Sequence, residues 1–498
     1  MAKMTGAEIT IHLLERQGIR IIPGIPGGAN LPLYDALAQS TKIRHVLARH
    51  EQAAGFIAQG MARVSGRPQT CFTTSGPGVT NILTAIADAK LDSIPLICIT
   101  GQVPRSMIGT DAFQEVDSYG LSIPITKHNF LVSSASDLLE IIPEAFRIAA
   151  SGRPGPVLID LPKDVQTECV EFEKWPEPGR PDPPPSFCRA DVRRAAKLIN
   201  AAHRPILYLG GGVIHSEAGP LAARLAEKCS IPVTMTLMGL GAVPMDHPRS
   251  IGMLGMHAAR YTNMALDQCD LLIAAGVRFD DRATGNPSQF CEGANIIHID
   301  IDGSEIDKIK PALVGIVGDV AEVLEALLPM VEENPRVDWL ELVSDLRGKY
   351  SRSGQDAGND LHNPHALIRR TGEILDGEAI VTTDVGQHQM WTAQTYPFRR
   401  PRQWLTSGGL GTMGFGVPAA IGAALICPDQ KVVCFSGDGS LMMNIQELAT
   451  AAEQDVNITI ILMDNNSLGL VHQQQDMFYG GRTYACTYRF QADFIKIA

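Results

Sequence analysis

The residues best placed to do chemistry lie between Val432 and Gln475, in VVCFSGDGSLMMNIQEL and, further on, ITIILMDNNSLGLVHQQQ. Asp438 follows one short apolar run, Val432–Phe435, and Asn465 follows a second, Ile458–Met463. Runs of this kind predict buried parallel strands. The turn Gly437-Asp438-Gly439-Ser440 and a helix from Leu441 to about Glu453 join them. The result is a βαβ unit whose strand ends face one crevice. A carboxylate and an amide oxygen meeting there suit a hard divalent ion. Mg²⁺ takes one or two protein oxygens and completes its shell with phosphate and water. Gly437 and Gly439 allow backbone N–H groups close to a diphosphate. Alone, GDGS is an ordinary strand-to-helix turn; the Asn pair at this distance favours the ion site.

The elements that must hold these residues form a large chain. Its 498 residues suggest about three domains, and 45% apolar with 19% charged residues describes sizeable cores. A net charge of −12 without a Lys/Arg run argues against nucleic acid or an anionic membrane surface as partner. Ten cysteines lack metal-ligand spacing and suit a reducing, cytoplasmic setting. The N-terminus lacks a signal peptide's apolar core, and no stretch approaches the ~20 apolar residues of a membrane span.

Strands and helices alternate from residue 1 to about 170, which predicts a doubly wound parallel sheet. GIPGG (24–28) and TSGPG (74–78) are glycine turns at strand ends, and Glu51 falls where a strand gives way to a helix. An ordinary tight loop and a carboxylate suited to the helix dipole explain each of these on its own. The loop 102–130 carries Phe113-Gln114-Glu115, and loops of that length are often functional. A Pro-rich linker spans 171–189, and a second α/β domain spans 190–335. Its strand ends carry Gly210-Gly211-Gly212, Gly276 and Asp300-Ile301-Asp302, which suits a nucleotide, with packing glycines as the equal alternative. A polar, partly helical linker, including Asp356–Asn359, runs over 336–363. The third domain, 364–498, holds DVGQH (384–388), a glycine-dense stretch from Ser407 to Gly416, and the ion-site unit.

Together these stretches resemble the catalytic subunit of acetohydroxyacid synthase (acetolactate synthase), from about Thr5 to the last residue. RHEQ, TSGPG, FQE, GRPGPVLIDLPKDV, GMLGMH, GVRFDDRATG, VGQHQMW, GGLGTMGFG and the GDGS–DN unit carry the resemblance. The resemblance implies three α/β domains of the thiamine-diphosphate fold, the middle one Rossmann-like and carrying FAD. It implies decarboxylation of pyruvate and transfer of the two-carbon unit to a second pyruvate or to 2-oxobutanoate, an early step towards valine, leucine and isoleucine. Glu51 matches the carboxyl that contacts the thiamine pyrimidine; Gly28 and Gln114 match positions beside the reacting carbon, and Lys163 joins them as a catalytic candidate. Pro77, Asn81, Gly386, Gln387, His388, Gly411, Gly437, Gly439, Ser440, Gly469 and Leu470 match cofactor contacts, and Met413 the apolar prop that bends thiamine diphosphate. Asp438, Asn465 and the Ser467 carbonyl match the Mg²⁺ ligands; the pattern's first Asn is here Asp464, so the Asn pair is displaced by one. Arg153, Gly210, Gly211, Met256, His257, Gly276, Arg278, Asp280, Arg282, Asp300, Ile301, Asp302 and Asp319 match FAD contacts, a structural rather than redox use of the flavin. Gln474 stands where many relatives place a Trp in the second-substrate pocket.

The resemblance also implies a homodimer with active sites between chains, a small regulatory subunit and a bacterial cytoplasmic location. The competing expectations are another flavin-containing thiamine-diphosphate enzyme, such as a pyruvate oxidase, and a homologue that only binds cofactor or partner. Glu51 argues against a glyoxylate carboligase, and the FDDRATG and GMH segments against the flavin-free acetolactate synthase. Family chains run some tens of residues further than Ala498. An incomplete third domain, a final helix Phe490–Ala498 and low activity of the chain as given are therefore expected.

Overall fold

The computed structural model describes residues 2–350, 358, 360–490 and 492–497; of the expected second linker, 351–357 and Asn359 lie outside them, as do Gln491 and Ala498 of the expected final helix. Three α/β domains each contain one parallel sheet, as expected. The first has six strands, in the order Arg44–Leu47, Ile21–Gly24, Gln69–Thr73, Leu96–Gln102, Val157–Pro162 and His128–Leu131. The middle has six, in the order Ser250–Met253, Val233–Met235, Pro205–Leu209, Leu271–Ala275, Asn295–Asp300 and Val314–Val317. The third has four, in the order Trp404–Leu405, Ile380–Thr383, Val432–Gly437 and Ile458–Met463. Central strands such as Leu96–Gln102 and Val432–Gly437 are buried at every position. Helices on both faces leave no wet side, so such strands appear as unbroken apolar runs. No helix among the described residues is long and apolar enough to cross a membrane.

The differences from expectation have local causes. His128–Leu131, Val233–Met235, Ser250–Met253 and Val314–Val317 are strands that hydrophobic runs do not mark; all are short, and three lie on a sheet edge or mix buried with exposed positions. Ala2–Thr5 and Cys169–Phe172 pair antiparallel and tie the ends of the first domain together. The helix expected from Leu441 to Glu453 is two pieces, Asp438–Leu441 and Glu447–Glu453. Between them Asn444 turns inward and donates from Nδ2 to the Gly414 carbonyl (2.7 Å). The expected terminal helix is the single turn Phe494–Ile497. Within the stretch expected as a second linker, Val337–Tyr350 is a helix that buries Trp339, Val343 and Leu346 against the middle domain.

The first and third domains meet at two helices, Glu51–Ser65 and Gly416–Ile426. Val46, Ala54 and Ile57 share one apolar core with Val417, Ala420 and Ile421. Phe56 meets Phe415 edge to face, with centroids 5.2 Å apart. The backbones touch at two glycines. A Cβ on Gly60 would lie 2.2 Å from the Ala419 oxygen, and one on Gly422 would lie 2.0 Å from the Ile57 oxygen. No rotamer relieves such a clash, because both partners are backbone.

Gly422→Ala and Gly60→Ala should therefore each lower stability by about 1–3 kcal/mol, the usual range for overpacking, in denaturant unfolding. Gly348→Ala is the control: its helical site has nothing within 4 Å. It should gain up to about 1 kcal/mol from helix propensity.

Candidate active site

The ends of Val432–Gly437 and Ile458–Met463 lie side by side, with Gly437 in register with Met463. That register brings Asp438 next to the Asp464-Asn465-Asn466 turn. Asp438 is buried, and its carboxyl is pushed up first by burial and then by the charge of Asp464, while N–H groups of Gly439 and Ser467 pull it down. A buried acid beside a second acid is the setting a divalent cation relieves, so the donor set fits Mg²⁺. Asn465 Oδ1 accepts the Ser467 N–H (3.0 Å), and Asn466 takes a left-handed φ of 54° with its buried Oδ1 unpartnered. Among the described residues no three or more His, Cys, Asp and Glu side chains gather as a metal site. The expected ligands are one carboxylate, one amide and one carbonyl, a set that forms no such group.

Gln387 and His388 open the helix Gln387–Thr395 beside this turn. Gln387 Oε1 lies 3.4 Å from Asn465 Nδ2 and would be 2.3 Å from a Cβ on Gly469. His388 is buried with Nε2 unpartnered, and burial pushes its imidazole down to about 4, so it is neutral at pH 7. A buried ring nitrogen without a partner is costly, and a polar group bound at this turn would satisfy it. The two turn glycines also make room for neighbouring side chains. The space left by Gly437 is filled by the His388 ring, 3.0 Å from an ideal Cβ, and that of Gly439 by the Tyr488 hydroxyl at 2.5 Å. Ser440 Oγ donates to the Val385 carbonyl (3.1 Å), tying the GDGS turn to the DVGQH turn.

Asp384, to which no sequence motif assigns a role, organises the glycine-dense loop. It is buried, its carboxyl raised by burial, and it accepts the N–H groups of Gly414 and Gly416 (both 2.9 Å) and the Ser436 hydroxyl (2.5 Å). The loop's Gly411 (φ 71°) is exposed, and Met413 is half-buried. An acid at a strand end, ahead of a glycine-rich stretch, is the signal that was available.

In the first domain, Glu51 opens its helix buried, and Asn81 Nδ2 donates to Glu51 Oε2 (2.9 Å). Asn81 lies on the helix Pro77–Leu91, which Pro77 begins. Gly76 (φ 56°) seats the FQE loop: a Cβ there would lie 2.8–3.0 Å from the backbone of Gln114, itself at φ 59°. Glu115 gathers the N–H groups of Gly109, Thr110 and Ala112, which lowers its carboxyl and rigidifies the turn before Gln114. Gly28 has nothing within 4 Å of where a Cβ would stand, and Lys163 begins the short helix Lys163–Thr167.

A cavity of about 820 Å³ opens at the C-terminal ends of the middle strands and reaches Gly411, Leu470 and Gln474. Glu51, Gly28, Gln114 and Lys163 do not line it. Of the residues matched to FAD, Gly210, Gly211, Gly276, Asp300 and Ile301 border it from strand ends. Arg153, His257, Arg278, Asp280 and Asp319 border it from loops, and Arg282 from the short helix Asp281–Thr284. Met256 and Asp302 do not line it. Met256 is exposed, with Arg282 Nη1 3.6 Å from its sulfur, and Asp302 faces Arg153, which Glu305 also holds at 2.6 Å. A Cβ on Gly210 would lie 2.1 Å from the Gly276 oxygen, and one on Gly211 would lie 3.4 Å from the Met238 Cβ, an ordinary contact. Asp280 and Asp319 cap the helices that follow them. Burial pushes Asp300 up to about 6. Apolar walls from Leu237, Met238 and Met390, with the guanidinium groups of Arg278 and Arg282, suit the ring and diphosphate of a flavin nucleotide.

Three family models match this architecture. The N-terminal TPP binding domain of thiamine pyrophosphate enzymes covers residues 4–121, the central domain 192–327 and the C-terminal TPP binding domain 384–498. The acetolactate synthase isozyme 1 large subunit of Escherichia coli K12 is 60% identical over 496 residues, covering 100% of this chain and 88% of its own. The isozyme 2 large subunit of the same organism is 46% identical, covering 99% and 89%. The acetolactate synthase large subunit of Corynebacterium glutamicum is 47% identical, covering 99% and 80%. The chain belongs to the acetolactate synthase large-subunit family, and thiamine diphosphate is the cofactor for which its domains are named.

The two asparagines can be separated by calorimetry of thiamine diphosphate binding with and without Mg²⁺. Asp438→Ala should abolish the Mg²⁺-dependent binding, Asn465→Ala should weaken it strongly, and Asn466→Ala should be much milder. Equal losses in the two Asn variants would reassign the ligand.

Proposed function

We propose that this chain is the catalytic subunit of an acetolactate synthase. It decarboxylates pyruvate and transfers the two-carbon unit to a second pyruvate or to 2-oxobutanoate. The observation that carries this reading is the 60% identity to the E. coli isozyme 1 large subunit across all of this chain. The buried Glu51–Asn81 pair and the unpartnered His388 nitrogen support it. Thiamine diphosphate, when bound, supplies the carbanion chemistry that breaks the carbon–carbon bond of a 2-oxo acid. The chain's own residues bind, orient and move protons. Asn81 occupies Glu51 Oε2 and so leaves Oε1 to share a proton with a pyrimidine nitrogen. Asp438, Asn465 and the Ser467 carbonyl would hold Mg²⁺ against the diphosphate, with the neutral His388 ring beside them. Gly28, Gln114 and Lys163 border the 2-oxo acid.

FAD occupies the middle cavity in this reading. Arg278 and Arg282 would hold its diphosphate, and the Asp300–Ile301 strand end would hold its nucleoside. Glu51 lies outside the cavity that Gly411 and Gln474 border, and this supports a homodimer in which one chain's first domain completes its partner's site. A small regulatory subunit and a cytoplasmic location complete the proposal; the relatives' names speak of large subunits.

Incubation with pyruvate, Mg²⁺, thiamine diphosphate and FAD should yield acetolactate, read as acetoin after acid treatment. Cofactor binding without product would overturn the assignment. Glu51→Gln should retain the cofactor but lose roughly 10²–10⁴-fold in turnover, the span of a general acid–base step. Gln474 is exposed on the helix Gly469–Phe478 and borders the cavity. Gln474→Trp should shift competition towards 2-oxobutanoate by about 10–200-fold, the value of one methylene against an apolar wall. Identical product ratios in parent and variant would remove Gln474 from the pocket.

A further inference from the structure

The first domain holds the glycine-dense loop of the third through two buried acids. Asp88 and Asp92 lie at the C-terminal end of the helix that begins with Pro77, and both are buried. The Ser407 hydroxyl donates to Asp88 Oδ1, which the Thr412 hydroxyl also reaches at 3.4 Å. Ser407 Oγ in turn accepts the Thr412 N–H (2.8 Å). Asp92 takes the N–H groups of Gly408 (3.0 Å) and Gly409 (2.7 Å). Arg63, equally buried, donates to Asp88 (3.2 Å), Asp92 (2.8 Å) and Gln59 (2.8 Å), and lies 4.9 Å from the Phe415 ring centroid.

The consequence falls on Met413. On its N-terminal side Thr412 is fixed to Ser407 and Asp88. On its C-terminal side Gly414 is fixed by Asp384 and Asn444. Both flanking residues are held by buried groups, so the Met413 backbone has little freedom, although Gly411 and Gly414 have the left-handed φ values that permit a sharp path. One of the two anchors comes from another domain, more than 300 residues away in the chain.

We propose that Asp88 is a positioning residue for the thiamine-diphosphate site: through Ser407 and Thr412 it sets the loop that presents Gly411 and Met413. The inference rests on the assignment of Gly411 and Met413 to that site. Asp88 touches no substrate or cofactor in this scheme; it acts through the loop.

Ser407→Ala removes the loop's hydroxyl and leaves the Arg63–Asp88 pair intact, and Asp88→Asn is the companion variant. Three quantities are measured on the full chain: thiamine diphosphate affinity with Mg²⁺, hydrogen exchange of 407–416 without cofactor, and the cofactor-free unfolding midpoint. Ser407→Ala should weaken thiamine diphosphate roughly three- to tenfold, the weight of one net hydrogen bond. Exchange over 407–416 should rise while the unfolding midpoint stays at that of the parent. Asp88→Asn should move affinity and exchange in the same direction. Unchanged affinity in Ser407→Ala, or a loss matched by a lower midpoint, would overturn the proposal. A parent chain that binds thiamine diphosphate and makes no acetolactate would overturn the proposed function and leave this inference standing.

Discussion

The contact on which the arrangement of domains depends is the crossing at Gly60 and Gly422, where two helices meet backbone to backbone. Close approach without side chains leaves no tolerance in the spacing of the first and third domains. It also brings the surrounding apolar residues, Phe56, Ile57, Phe415 and Ala420 among them, into single cores that belong to neither domain alone. Buried apolar area stabilises such a junction by about 25 cal/mol per Å². The glycines decide that it forms in one geometry only.

Around this junction the charged groups follow a consistent rule. Three acids are buried and compensated by donors from segments distant in sequence: Asp384, at a strand end, by Gly414, Gly416 and Ser436; Asp160, within its strand, by Thr100, Gln102 and Ser118; and Asp88, on its helix, by Arg63 and Ser407. Burial still raises each of these carboxyls, Asp160 and Asp88 to about 6. A carboxylate kept in this way fixes the loop that supplies its donors, because a buried charge left alone costs several kcal/mol. Asp438 differs, with a second acid beside it and the crevice of the third sheet before it.

Much of this was legible in the sequence where one residue's environment is set by its neighbours. The central strands are continuous apolar runs, and Asp438, Glu51 and the glycine turns fall at strand ends because parallel sheets place function there. What escaped reading depends on distant partners. The break after Leu441 follows from Asn444 reaching Gly414, which local helix propensity does not contain. Asp88 and Asp92 look like polar residues on an ordinary helix until the loop at Ser407 lies against them. The short strands such as His128–Leu131 have too few apolar positions to show a period, and the cavity combines residues from all three domains.

The helices that begin at Glu51 and Pro77 have different duties at their two ends. Their first turns bring Glu51 and Asn81 together, and their last turns carry Arg63 and Asp88 into the grip on the Ser407 loop. For anyone building chimeras between relatives, a domain boundary is then the wrong seam. Residues 51–92 and 407–416 form one heritable module split across the gene. A crossover that imports one segment without the other joins two halves of a lock cut from different keys.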